Sequence, residues 1–109
     1  MPLHCRLRYF DPDKRRAGLP EDVAALVTAL GDRSAEVTLV NTGPAPRTVI
    51  LAGGACAEHR IDSARIGDTT HPVAARDFTV RLEPNSGARL SLAMTRYANR
   101  PTLAFPWDR

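Results

Sequence analysis

The sequence is short of most of the residues that announce chemistry. Two cysteines, Cys5 and Cys56, among 109 residues permit one disulfide but not a disulfide framework. Lys14 is the only lysine; the other 14 of the 15 cations are arginine, a bias of the kind a GC-rich genome produces. Aromatics are scarce, with two Tyr, three Phe and one Trp, so a core must rest on Val, Leu, Ile and Ala. No apolar run approaches the roughly 20 residues of a membrane helix. The opening "MPLHCRLRYF" has neither an apolar signal core nor a cleavage pattern. The expectation is a soluble, not visibly exported chain with its compartment left open. No G-x-G-x-x-G or Walker pattern occurs, and "NSG" lacks the strand-to-helix elbow of a hydrolase serine.

What is present suits one domain spanning 1–109, large enough for a single modest core. Apolar residues make up 43% and charged residues 25%, ordinary for a globular protein. The net charge of +3 is mild and dispersed, and the dense patch "DKRR" is flanked by acids. That argues against a nucleic-acid partner.

Alternation dominates the chain. "LHCRLRY" puts Leu3, Cys5, Leu7 and Tyr9 on one face and His4, Arg6 and Arg8 on the other, as in a half-buried strand. "FDPDKRRAGLP" reads as a long loop. "PEDVAALVTALGD" is the one helix candidate: Val23, Leu26, Val27 and Leu30 follow i, i+3, i+4, i+7 spacing, and Pro20 and Gly31 suit the two ends. A strand is the rival reading there. "AEVTLVN" and "RTVILA" are β-rich runs around the turn "NTGPAP", where Asn41 and Gly43 tolerate positive φ, and they are expected to form a hairpin. "EHRIDSARI" alternates weakly, and "GDTTHPVAA" reads as a turn region. "DFTVRLEP" and "RLSLAMT" place Phe78, Val80, Leu82, Leu90, Leu92 and Met94 inward. Leu39 and Ile50 are expected between the same sheets. Strands at 8–14 residue spacing give an all-β antiparallel sandwich, Ig-like, with one short helix.

"AEVTLVNTGPAPRTVILA" followed by "FTVRLEPNSGARLSLAM" resembles the Ig-like β-sandwich domains at the C-terminal ends of bacterial glycoside hydrolases and other multidomain enzymes. The resemblance rests on the "VTLVN" strand, the Pro-rich turn and the L-x-P-x-S-G-x-x-L-x-L hairpin from Leu82 to Leu92, and covers about half the chain. It implies a non-catalytic module that packs on a catalytic domain, and it carries over no catalytic residue.

Each candidate site has a plainer alternative. Cys56 and His59 form a C-x-x-H pair, but zinc favours two short-spaced ligand pairs, and His4 and Cys5 would point to opposite faces of a strand. Cys56 is better read as a small buried residue, His59 as a solvated strand position and "AGGAC" as a strand end or bulge. A Cys56 nucleophile with His59 or His71 as base would need an electropositive setting. Asp11 with Asp13, and Glu21 with Asp22, read as solvated charges; Arg6, Arg8, Arg15 and Arg16 read as a solvated face. Tyr9, Phe10, Tyr97 and Trp107 are the candidate ligand-binding residues, a stacking surface for a sugar or peptide, with closure of the core as the alternative. The tail "RYANRPTLAFPWDR" is expected to pack back, since a disordered tail rarely carries Phe and Trp.

The expectation is therefore a non-catalytic accessory or interaction domain without metal or cofactor. Its partner would be a protein or the parent enzyme's catalytic domain, with carbohydrate and homo-oligomerisation possible and no membrane. A free-standing carbohydrate or small-ligand binder comes second, and a small enzyme with a Cys/His site third. Whether Cys5 and Cys56 are bridged stays open.

Overall fold

A computed structural model describes residues 7–54, 57–95 and 98–108. Among these residues nine strands form two antiparallel sheets. They are β1 (Leu7–Asp11), β2 (Arg16–Ala17), β3 (Val23–Leu30), β4 (Ser34–Asn41), β5 (Arg47–Gly53), β6 (Arg60–Ile66), β7 (Thr69–Ala75), β8 (Asp77–Leu82) and β9 (Ser86–Thr95). The order is β2-β1-β5-β8 in one sheet and β3-β4-β9-β6-β7 in the other. The expected all-β sandwich is what the chain forms.

The alternation read from the sequence sets the inner faces. Val37, Leu39, Leu90, Leu92, Met94 and Ile61 from the five-stranded sheet meet Val49, Leu51, Val80 and Leu82 from the four-stranded one, all 6% exposed or less. Each fully buried side chain of this size contributes about 1.5–3 kcal/mol. Tyr9 and Phe78 pack against this core, partly buried.

The expected helix is instead β3. Its register with β4 runs from Val23↔Asn41 to Leu30↔Ala35 and shifts between Val27 and Ala29. Such a bulge adds one residue and reverses the alternation beyond it. Val23, Ala25 and Val27 therefore align with the inward Asn41, Leu39 and Val37, and Leu30, not Ala29, aligns with inward Ala35. A bulged strand thus acquires the 23, 27, 30 spacing of a helical stripe. Leu26, which would complete that stripe, is 64% exposed. Gly31 is no helix terminator; its amide donates to the Ser34 carbonyl at 2.8 Å and closes the β3–β4 hairpin.

Other expectations shift with the topology. β4 and β5 lie in different sheets, as do β8 and β9, so "NTGPAP" and "EPNSG" are arches between sheets and not hairpin turns. Neither Asn41 nor Gly43 has positive φ; in the second arch Asn85 does, at 53°. The supposed long loop after Phe10 folds back as the β1–β2 hairpin, with Phe10 opposite Ala17. "GDTTHPVAA" contributes the turn at Gly67 and then β7. Ile50 is buried but faces away from the main core, in a second cluster with Phe10, Ala52 and Ala57 on the outer face of the four-stranded sheet.

Candidate functional site: the aromatic tail and its arginine rim

Residues 8 and 10 of β1 share the outer face of the four-stranded sheet, and residue 9 points to the inner one. The structure accordingly separates Tyr9 from Phe10. Tyr9 packs against the main core, and burial raises its phenol above the ordinary value. Phe10, 0% exposed, sits opposite Ile50 under the C-terminal segment. That segment ends in a single 3-10 turn, Pro106–Asp108, closed by the Asp108 amide donating to the Phe105 carbonyl at 2.9 Å.

Three rings meet edge to face. Phe10 lies 5.7 Å from Phe105 and 6.2 Å from Trp107, and Phe105 lies 5.2 Å from Trp107, with interplanar angles of 62° to 82°. These are favourable arrangements of aromatic quadrupoles. Two arginines cap the cluster. The Arg8 guanidinium stands 4.8 Å from the Phe10 centroid and that of Arg15 5.1 Å from the Trp107 centroid. Arg15 also reaches Asp108 at 4.0 Å. Of the arginines read as a solvated face, Arg15 and Arg16 are exposed, and Arg16 pairs with Asp11 at 3.4 Å. Beside the tail, Arg76, Arg100, Pro101, Thr102, Ala104 and Asp108 line an open groove of about 530 Å³. Arg76 donates to the Arg100 carbonyl at 2.8 Å across it.

Of the four residues proposed from sequence to bind a ligand, the structure brings together only Phe10 and Trp107. Tyr9 is on the other face, and Tyr97 lies outside the described residues. Phe105, absent from that set, joins them. The two-residue spacing around Pro106 in "FPW" was the available signal.

At the start of "GGACAEH", Gly53 is the last residue of β5. Gly54 has φ 89°, and a Cβ on Gly53 would stand 2.6 Å from the His59 carbonyl oxygen. His59 is 4% exposed, not solvated, and its Nε2 lies 3.6 Å from Glu58 Oε1. His4, Cys5, Arg6 and Cys56 lie outside the described residues. Among the described residues no three His, Cys, Asp or Glu gather to hold a metal ion.

Asp11, expected to be solvated, is buried. Its Oδ1 accepts from the amides of Asp13 at 3.1 Å and Lys14 at 3.3 Å, which fixes the β1–β2 turn. Asp22 holds Arg47 at 3.4 Å. On the outer face of the five-stranded sheet, register aligns Glu36, Ser91 and Arg65 across three strands. With Arg89, 3.2 Å from Glu36, they line a cleft of about 260 Å³. The Ser91 hydroxyl donates to Glu36 Oε1 at 3.5 Å, an oxygen that Arg89 holds at 3.2 Å, so the cleft places a hydroxyl beside a carboxylate already paired with a guanidinium. No helix among the described residues is long and apolar enough to cross a membrane.

Comparison of the chain with protein-family models, curated proteins and solved structures finds no match.

Proposed function

We propose that the chain is a non-catalytic accessory or interaction domain, an Ig-like sandwich of the kind that packs on the catalytic domain of a carbohydrate-active enzyme. One observation supports this reading above the others. The two segments that resemble such modules, 35–52 and 78–94, supply β4, β5, β8 and β9, strands from both sheets whose inward residues make up most of the main core. The resemblance therefore falls on the frame of the domain, where relationship between sandwiches would be carried. The ligand-binding reading has less behind it, because Phe10 is fully covered and Tyr9 faces the opposite side.

An antibody raised against the purified chain tests the proposal on the native host's extract. An accessory domain should be detected within a polypeptide several times larger than 11.9 kDa. A single band at the mass of the chain itself would overturn it.

A further inference from the structure

Arg76 and Arg100 form no ion pair among the described residues, and both line the groove of about 530 Å³ beside the C-terminal segment. The Arg76 guanidinium is held in place by donating to the Arg100 carbonyl at 2.8 Å, a neutral partner that leaves its charge unmatched. Thr102 Oγ1 accepts from the Ala104 amide at 3.0 Å, and its own proton remains to donate. The lining side chains thus offer mainly donors, two guanidinia and a hydroxyl. The one carboxylate among them, Asp108, stands 4.0 Å from Arg15. Asp77 starts β8 next to Arg76 in the chain but forms an ion pair with neither groove arginine. Leu103, between the groove residues Thr102 and Ala104, is 71% exposed, more than any other large apolar side chain among the described residues.

We infer that this groove docks an acidic segment of a protein partner, with an Asp or Glu carboxylate of the partner held by Arg76 and Arg100 and an apolar neighbour covering Leu103. The inference deepens the interaction-domain reading and rests on it. An ionised carboxylate only accepts hydrogen bonds, which matches a groove lined mainly by donors. It is also planar, so a guanidinium fork can grip both of its oxygens. Neither arginine gives up an ion pair to bind it. Arginine, unlike lysine, is enriched where proteins meet, because its weakly hydrated head is cheaper to cover. Leu103 decides between kinds of anion. A uronate sugar or a phosphate has no aliphatic side chain to cover it, whereas a protein segment presents acidic and apolar side chains a few residues apart.

The test is a calorimetric titration of the chain with a blocked six-residue peptide of glutamate and leucine. Three comparison probes are the same peptide with glutamine for glutamate, a galacturonate oligomer and inorganic phosphate. The acidic peptide should bind, less tightly as salt rises. The comparison probes should bind at least about tenfold more weakly. Arg100→Gln should lower the peptide's affinity by about tenfold or more, through loss of a charged hydrogen-bonded contact. Leu103→Ser should lower it as well, and the control Arg33→Gln, in the β3–β4 turn, should leave it unchanged. All three side chains are exposed, so the circular dichroism spectra should not change. No binding of the acidic peptide, equal binding of its neutral counterpart, or an unmoved affinity in Arg100→Gln or Leu103→Ser overturns the inference. Tighter binding of the galacturonate oligomer or of phosphate overturns it in favour of a saccharide or a simple anion. Should Arg100→Gln misfold, the unmodified chain still decides: an affinity independent of salt overturns the carboxylate contact. None of these readouts depends on polypeptide length in the host, so failure here is distinguishable from failure of the accessory-domain reading.

Discussion

The side-chain amide of Asn41 donates to the main-chain carbonyl of Leu82 at 3.2 Å, joining the end of β4 in one sheet to the end of β8 in the other. The same nitrogen lies 2.8 Å from the Ala45 carbonyl and 3.3 Å from that of Glu83, and Oδ1 accepts from the Gly43 amide at 3.0 Å. Asn41 is fully buried, so these main-chain groups have limited access to water. An asparagine suits the position because it offers two donors and one strong acceptor without charge. Asn41→Ala should destabilise the fold by at least about 2 kcal/mol, since each buried polar group left unpaired costs roughly 1–3 kcal/mol. Asn41→Asp should be worse at neutral pH, because a carboxylate would face three carbonyls. Equilibrium denaturation of the two variants checks the ranking.

Leu92 is 1% exposed in the centre of the core, and Leu26 is 64% exposed at the sheet edge. Leu92→Ala is expected to destabilise by about 2–5 kcal/mol through lost burial and a residual cavity. Leu26→Ala is expected to change stability by no more than about 0.5 kcal/mol in a monomeric sample. Denaturation midpoints of comparable size for the two would contradict the burial assigned to Leu92.

Asp62 accepts from Thr95 Oγ1 at 2.7 Å and from Arg60 Nε at 2.7 Å. The Thr95 hydrogen bond first, and Arg60 second, hold its carboxyl below the ordinary value of 3.8. A carboxylate depressed in the folded state stabilises the fold above its unfolded pKa, and that contribution is lost as pH falls through the lower folded value. Carbon-detected NMR titration should therefore place Asp62 below ordinary aspartates. Thr95→Val should move it up toward them, and an unmoved titration in that variant would remove the hydrogen bond as the cause.

The inward residues were legible because period-2 alternation is a direct image of a half-buried strand, and "DFTVRL" and "RLSLAM" show it without interruption. β3 was not, because the bulge at Thr28 breaks the alternation and leaves apolar spacing that a helix would also produce. The arches read as hairpins in the sequence for a different reason. A turn between two strands looks the same in sequence whether the second strand pairs with the first or crosses to the opposite sheet, and only the ladders to β1, β8 and β9 decide. Within the candidate site, Tyr9 and Phe10 are neighbours in a strand and could not have lined one surface. Strand parity already forbade what composition suggested. Asp11 did carry a local signature, since its Oδ1 accepts from amides two and three residues on, whereas the burial of His59 depends on the Gly53 backbone that the fold brings against it.

The docked tail is the part of the structure whose energetics are most finely balanced. Phe105 and Trp107 are each only partly buried, and together with Phe10 they make three edge-to-face contacts. Full burial of a large apolar side chain gains about 1.5–3 kcal/mol, and ordering each backbone residue costs roughly 1–2 kcal/mol. Two partly buried rings alone would not hold a segment of this length. Pro101 and Pro106 narrow the gap, because their φ is already fixed in the unfolded chain. The Arg15 guanidinium over Trp107, the Arg76 bond to the Arg100 carbonyl and the Asn99 amide donating to the Glu58 carbonyl at 3.1 Å add further anchors. Phe105→Ala should therefore lower stability by about 1–3 kcal/mol, less than a core phenylalanine, whose truncation costs about 3–5 kcal/mol. Trp107 is the only tryptophan, so its fluorescence reports on this site alone. Its emission should be blue-shifted from that of free tryptophan and should move to the red in Phe105→Ala at temperatures where the β-sheet signal is unchanged. An emission maximum equal to that of free tryptophan in the unmodified chain would mean that the tail does not rest on Phe10. A Phe105→Ala denaturation curve superimposable on the unmodified one would mean that it rests there without contributing to the fold.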